Sequence, residues 1–342
     1  VSEEAGPYPV DGYARAADRL AGVLRTTNDV LLFGGEAMLA LEAAATSLAA
    51  PGRRVVNVVT SPYGAWFGAW LARGGAQVAE LRPADPRRAV ALDEVEEAVR
   101  RHRPQIVAVV HGEASTGVVN PIDGIARIAH EAGAIVVVDA VASIGGHPLE
   151  TDDQGLDVVA LGPQKAIEGP VSLSALAVSP AAWELVAPPT LGAPSALSLA
   201  DLRRDWLDAG RGALPGTPDP AVFRSLDRAL DALDAEGLDA RIARHATAAA
   251  AARAGARDAG LELWIDRDED ASHLVTTIVV PPGVDSDDLI ARVAELDDGV
   301  TAGFGDHGHR FVRVNHTGAR AHATAVDASL AALGSALAAS AR

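Results

Sequence analysis

The sequence predicts an α/β protein: a large domain with a mostly parallel, helix-covered sheet, then a smaller α+β C-terminal domain. Three observations carry this prediction. Short β-branched runs recur without polar alternation, as strands covered on both faces require. Stretches with helical spacing of Ala, Leu, Val and Ile separate them, giving a βαβα order and therefore parallel neighbours. Beyond residue 237 the order loosens into a mixture of strands and helices.

Taken along the chain, residues 30–33, 54–59, 105–110, 134–138 and 156–161 are expected as buried strands, and SALAV (174–178) as one more. Between them, 38–50, 66–73, 93–103 and 122–132 are expected as helices. Residues 186–220 turn irregular, punctuated by Pro188, Pro189, Gly192, Pro194, Pro215, Pro218 and Pro220. A long helix is expected at 220–235 and a second through Arg257. Strands at 274–280 and 311–314 and helices at 287–295 and 321–338 complete the chain. The expected division is a large domain at 1–236 and a small one at 237–342, with the boundary near Gly237.

The 342 residues can bury a substantial core, and 49% hydrophobic with 22% charged residues is an ordinary globular balance. A net charge of -17 argues against a nucleic-acid partner. With no cysteine there are no disulfides and no thiolate chemistry. No apolar run is expected to reach the roughly 18 residues of a membrane span, and no signal peptide opens the chain. A cytoplasmic enzyme without a membrane partner is the expectation. The chain begins at Val1 and not at Met, so residues upstream of it are expected.

Lys165 is the single lysine among 29 lysines and arginines. Arginine supplies charge equally well, yet it stays protonated at every ordinary pH. A lysine can lose its proton, and a neutral amine in an apolar setting forms Schiff bases with aldehydes. The context favours that chemistry. In a parallel sheet, ligands sit at the carboxyl ends of the strands. There the sequence places Gly34-Gly35-Glu36, Ser61-Pro62-Tyr63, His111-Gly-Glu-Ala-Ser-Thr116, Asp139 and Gln164-Lys165. A carboxylate at the lip of a buried strand is costly without a partner. A pyridine whose aldehyde meets Lys165 and whose protonated nitrogen meets Asp139 satisfies both groups. The structural alternative for Asp139 is a helix cap or a surface charge.

DAVASIGGHPLETDDQGLDVVALGPQK (139–165) resembles the signature of class V, fold type I pyridoxal-phosphate aminotransferases. HGEASTGVVNPI (111–122), LEAAATSL (41–48) and RVNHTG (313–318) resemble segments of the alanine–glyoxylate branch of that family. The resemblance covers nearly the whole chain, apart from the family's N-terminal arm. It implies pyridoxal 5'-phosphate chemistry, a small-molecule amine and a 2-oxo acid as substrates, and a homodimer with shared active sites. Residue by residue it implies Lys165 as the Schiff-base lysine and proton carrier, and Asp139 as the partner of the ring nitrogen. Tyr63 and Val141 cover the two ring faces, and Gln164 helps to hold the cofactor. Arg313 clamps the substrate carboxylate bidentately, and Thr217 contacts phosphate across the dimer.

The phosphate end departs from the pattern. Glu36 stands where a Ser or Thr is usual, and Leu214 where a tyrosine is usual. At about 4 Å and an effective dielectric near 20, each unit of like charge between Glu36 and a phosphate costs about 4 kcal/mol. GGEAMLALEAAATSL (34–48) and RHATAAAAARAGARDAGLELW (244–264) resemble the pyridoxamine–pyruvate type within the branch. There the unphosphorylated vitamin is a substrate, and a glutamate accepts a hydrogen bond from the ring's hydroxymethyl group. The expected reaction is pyridoxamine plus pyruvate to pyridoxal plus alanine.

Two alternatives stay open. One is a phosphate-requiring alanine- or serine-type aminotransferase using glyoxylate or pyruvate, with Glu36 only starting a helix. The other is a degenerate vitamin-binding member, which Ala114, Leu214 and Phe304 favour as departures from the pattern. His307, His309 and Asp306 do not complete a metal site of recognisable spacing. No nicotinamide, P-loop or α/β-hydrolase motif is present. His111 and His245 are expected as structural hydrogen-bonding residues.

Overall fold

The computed structural model describes residues 6–188 and 194–340; Val1, Pro189 and Gly192 of the reading above lie outside them. In chain order, α1 (Gly12–Leu24) precedes β1 (Asp29–Phe33), α2 (Ala37–Leu48), β2 (Arg54–Val58), α3 (Pro62–Arg73) and β3 (Gln77–Leu81). Then come α4 (Leu92–His102), β4 (Ile106–Val110), α5 (Ile122–Glu131), β5 (Ile135–Asp139), β6 (Val158–Leu161) and β7 (Ser174–Val178). Two one-turn helices, α6 (Pro180–Trp183) and α7 (Leu199–Leu202), punctuate the irregular stretch, and a π-turn at Arg203–Leu207 continues the second. The remainder is α8 (Pro220–Glu236), α9 (Leu238–Asp258), β8 (Val275–Val279), α10 (Ser286–Ala294), β9 (Val300–Ala302), β10 (Phe311–Asn315) and α11 (Ala323–Ser340).

The large sheet has seven strands in the order β1-β7-β6-β5-β4-β2-β3. Only β7 runs against the others, antiparallel to both β1 and β6. All the remaining carboxyl ends therefore open on one edge, which is what gathers the candidate residues. β4 (IVAVV) and β7 (SALAV) are buried at every position, because helices cover both faces. A second sheet of three antiparallel strands, β8-β10-β9, follows in the C-terminal part.

Several elements were not legible in the pattern. β3 (QVAEL) is an edge strand without a single buried residue, so it lacks the apolar run that marks its neighbours. β9 is only three residues long. α1 has its apolar face formed largely by small residues, Gly12, Ala16 and Ala17 beside Tyr13, Leu20 and Leu24. One expectation is corrected outright: α11 is long and apolar enough, by length and composition, to cross a membrane. Alanine raises its hydropathy without adding bulky apolar side chains. In the fold it packs against α9 and α10 through Val326, Ala332, Leu333 and Ala336, with Ser329 also buried.

Candidate active site

Glu36, Tyr63, Asp139, Val141, Gln164 and Lys165 follow or close the carboxyl ends of β1, β2, β5 and β6, whereas Arg313 lies on β10 of the small antiparallel sheet. β5 ends in Asp139, whose Oδ1 accepts from the backbone N–H of Val141 at 2.9 Å. Burial, more than anything else, raises its carboxyl to about 6, and the Glu36 charge adds to the rise. Lys165 follows β6 in a tight loop closed by Glu168 N–H to Lys165 O (3.1 Å) and Gly169 N–H to Pro163 O (2.8 Å). Burial also lowers the Lys165 ammonium below its usual range, against the pull of Asp139, Glu113 and Glu36. Tyr63 lies in the first turn of α3, where Ser61 caps the helix by accepting from Tyr63 N–H and Pro62 fills the position that needs no donor.

One cavity is lined by Glu36, Met38, Tyr63, Asp139, Val141 and Lys165, with Gly112 and Ala114 on its wall. A carboxylate with one oxygen free, an amine shifted toward neutrality, an aromatic ring and an apolar side chain thus face one space. That donor set fits a protonated pyridine carrying an aldehyde or an amine. The phosphate end is different. α2 begins after Glu36, whose Oε2 accepts from Met38 N–H at 2.8 Å. Free N–H groups at a helix start are where an anion binds, and here the chain's own carboxylate takes one of them. Gln164 donates to the other oxygen, Oε1, at 3.3 Å and does not itself line the cavity. Glu36 is exposed, so screening reduces its repulsion of an anion from the 4 kcal/mol above toward the roughly 1 kcal/mol of bulk water.

Arg313, on β10, donates from Nε to Ala302 O (2.7 Å) and from Nη1 to Ala114 O (3.0 Å). Two of its five N–H groups are used, and the outer edge of the guanidinium keeps three for a carboxylate. Thr217 is not brought to Lys165. It is exposed in a separate groove with Gly34, Leu214 and Phe223, and Leu214 itself is buried in the core. His245 is structural: its Nδ1 bonds Arg241 O and its Nε2 accepts from Gly318 N–H. His111 is buried with Nδ1 unpartnered, its ring 5.6 Å from that of His147.

Three groups escaped the motif reading. Glu113 is fully buried at 0% exposure, and burial raises its carboxyl to about 7. Thr60 donates to its Oε1 at 2.7 Å, Asn120 donates to Thr60 at 2.8 Å, and Oε2 has no partner. Its signal was its place three residues past a buried strand, as Asp139 stands at the end of another. Arg241 and Arg244, at the start of α9, share the carboxylate of Glu236. Arg241 donates to Ala166 O (3.1 Å) and Ile167 O (3.2 Å), the peptides after Lys165. Arg244 donates to Gly318 O at 2.7 Å, three residues beyond β10. Gly318 has φ +59°, and a Cβ there would meet Glu168 at 2.7 Å and Lys165 O at 3.3 Å, so only glycine lets these loops meet. One ion cluster therefore ties the Lys165 loop to the strand that carries Arg313.

With this geometry in place, comparison with known proteins is specific. The profile described as Aminotransferase class-V matches residues 9–332. The chain is 34% identical over 335 residues to the pyridoxamine–pyruvate transaminase of Mesorhizobium japonicum, covering 96% of this chain and 84% of that protein. It is 31% identical to the alanine–glyoxylate aminotransferase of Callithrix jacchus, covering 92% of this chain and 77% of that one. The crystal structure of pyridoxamine–pyruvate aminotransferase from Mesorhizobium loti superposes with a TM-score of 0.89 at 32% identity, over 97% of this chain and 84% of that chain.

Proposed function

The chain belongs to the aminotransferase class-V family, and on that premise we propose that it transfers the amino group of unphosphorylated pyridoxamine to pyruvate, yielding pyridoxal and alanine. The observation that carries this reading is the closed start of α2. Glu36 supplies there the negative group that a phosphate would otherwise supply, and its exposed carboxylate is free to accept from a hydroxymethyl group. The similarity to the Mesorhizobium enzymes supports the same choice.

When bound, the B6 ring would supply an electron sink and, as the amino donor, give its own amino group to the oxo acid. The chain's own residues do the rest. Asp139 presents its free oxygen to the ring nitrogen and keeps a proton there. Tyr63 and Val141 hold the ring flat between them. Lys165, its ammonium destabilised by burial, offers a neutral amine as nucleophile and then accepts and returns the proton of the reacting carbon. Arg313 orients the oxo acid through its outer edge. Thr217, exposed and outside the Lys165 cavity of its own chain, serves the active site of a partner subunit in a homodimer.

Titrating the ligand-free protein with pyridoxal and with pyridoxal phosphate, followed by the visible absorbance of the lysine-bound aldehyde, tests the reading. Tight pyridoxal binding with weak phosphate binding supports it, and the reverse order overturns it. The exposure of Glu36 favours a second reading. A side chain free to swing outward would leave the Gly34-Gly35 turn and the start of α2 to a phosphate, as in an alanine–glyoxylate type enzyme.

A further inference from the structure

Beside the Lys165 cavity lies a larger cleft of about 490 Å³, within the roughly 300–1,000 Å³ of pockets that hold small organic ligands. Its walls come from the loop after β2, the segment after β3, and the 304–307 loop between β9 and β10. The two spaces share a partition. Tyr63 lines the Lys165 cavity, and its ring stands 5.4 Å from Trp66 and 6.0 Å from Phe304, both of which line the cleft. Arg313 lines neither space, but it lies close enough for its charge to act on Tyr63 and on Lys165. The carbonyls it holds belong to Ala114 and Ala302, each two residues from a cleft-lining residue, Thr116 and Phe304.

The character of the cleft is aromatic. Trp66 is 40% and Phe304 39% exposed. They are the exposed Trp and Phe side chains among the described residues, and their rings lie 6.1 Å apart in this one cleft. Open apolar surface gathered in a concavity marks a binding site more than chance exposure does. The cleft's own lining offers a second carboxylate no unengaged arginine, although Arg310 stacks on the Trp264 ring at 4.8 Å. The lining arginine, Arg82, is held by Glu80 through Nε (3.1 Å) and Nη2 (2.9 Å), and Asp306 adds negative charge.

We infer that this cleft receives the side chain of the amino acceptor, and that among 2-oxo acids it favours those with apolar branched or aromatic side chains over pyruvate, whose methyl group is the smallest it accepts. The inference rests on the reading that Arg313 takes the acceptor's carboxylate. A carboxylate held by Arg313 leaves the group beyond the keto carbon beside the cleft. A methyl group covers neither Trp66 nor Phe304. Each additional buried methylene favours binding by about fourfold, and an aromatic side chain finds ring edges and faces to pack on.

The test compares pyruvate, 4-methyl-2-oxopentanoate, phenylpyruvate and 2-oxoglutarate as acceptors from pyridoxamine with the full chain. If the paired titration finds the phosphorylated ligand bound instead, the same acceptors are compared with an amino-acid donor. The expected result is kcat/KM at least tenfold higher for the two apolar acids than for pyruvate, with 2-oxoglutarate lowest. Phe304→Ala and Trp66→Ala should each shrink that ratio at least threefold, chiefly through the KM of the larger acids. Pyruvate or 2-oxoglutarate as the best acceptor overturns the inference, as does an unchanged ratio in both variants. A protein that gives lysine-bound absorbance and turns over pyruvate alone overturns this inference but not the proposed function. Absence of that absorbance with either ligand overturns both.

Discussion

Glu36 accepts a hydrogen bond from the backbone N–H of Met38 at 2.8 Å, so the residue preceding α2 closes that helix itself. One of the free N–H groups of the helix start is thereby taken by the chain's own carboxylate. Replacing the carboxylate by a hydroxyl keeps a capping group and removes the charge. Glu36→Ser is expected to shift the ratio of pyridoxal phosphate to pyridoxal affinity toward the phosphate by about fivefold to a thousandfold, the 1–4 kcal/mol range of one screened like charge. Paired absorbance titrations of variant and parent measure it, and a ratio unchanged within twofold would remove Glu36 as the selector.

Asp139 ionises near pH 6 because it is buried. Its carboxylate form is the one that pairs with a protonated ring nitrogen, so ligand affinity should fall as pH drops through about 6. Asp139→Asn cannot hold that charge. It should flatten this limb and slow amino transfer by about 10²- to 10⁴-fold. Single-turnover rates between pH 5 and 8 provide the check.

Glu113 shows the opposite linkage to an ordinary surface carboxylate. Its folded value, about 7, lies above its ordinary 4.5, so between those values the unfolded chain has released a proton that the folded chain keeps. Stability should therefore decline as pH rises from about 4.5 to 7, by up to about 3 kcal/mol. Glu113→Gln keeps the shape without the titration. Urea unfolding should find the variant more stable than the parent at pH 8, and the gap closed at pH 4.5.

Arg241 is 4% exposed and holds Ala166 O, Ile167 O and Glu236 at once. Arg241→Met leaves two carbonyls without their donor and Glu236 with Arg244 alone. The expected cost is about 3–5 kcal/mol of stability, as for other broken buried ion pairs. Because the clamp also fixes the peptides after Lys165, the lysine-bound absorbance should titrate at a different pH, with Arg241→Lys falling between. Urea unfolding with parallel pH titration of the absorbance separates the two effects.

The site was legible where chemistry forces a residue choice. A lone lysine after one strand and an aspartate closing the strand beside it announced themselves, because neither type is neutral in such a place. The strand–helix order was legible for the same reason, since β4 and β5 are apolar at nearly every position. What stayed hidden depends on partners far away in the chain. Arg241 and Arg244 read as ordinary helix-surface charges until α9 is packed against the 166–168 and 316–318 loops. Thr60 and Asn120 gain meaning only through Glu113 between them. The aromatic cleft needs residues 62–66 and 304 brought together, and no local pattern links them.

β1 pairs with a single strand of its sheet, β7, with Asp29 opposite Val178, and Ser174 on β7 bonds the carbonyl of Gly35 at 2.9 Å. On a growing chain this corner has no seat until residue 178 clears the ribosome. At about 5–20 residues per second, that is a wait on the order of 10 s after β1 is made. Through that interval α1 lacks β7 and α8, and α2 lacks β7, so each is only partly covered by β1 and α3, and chaperone capture should centre on this N-terminal segment. The Glu36 corner, to which the proposed function assigns ring selection, is thus assembled late, by the last strand of its sheet to be made.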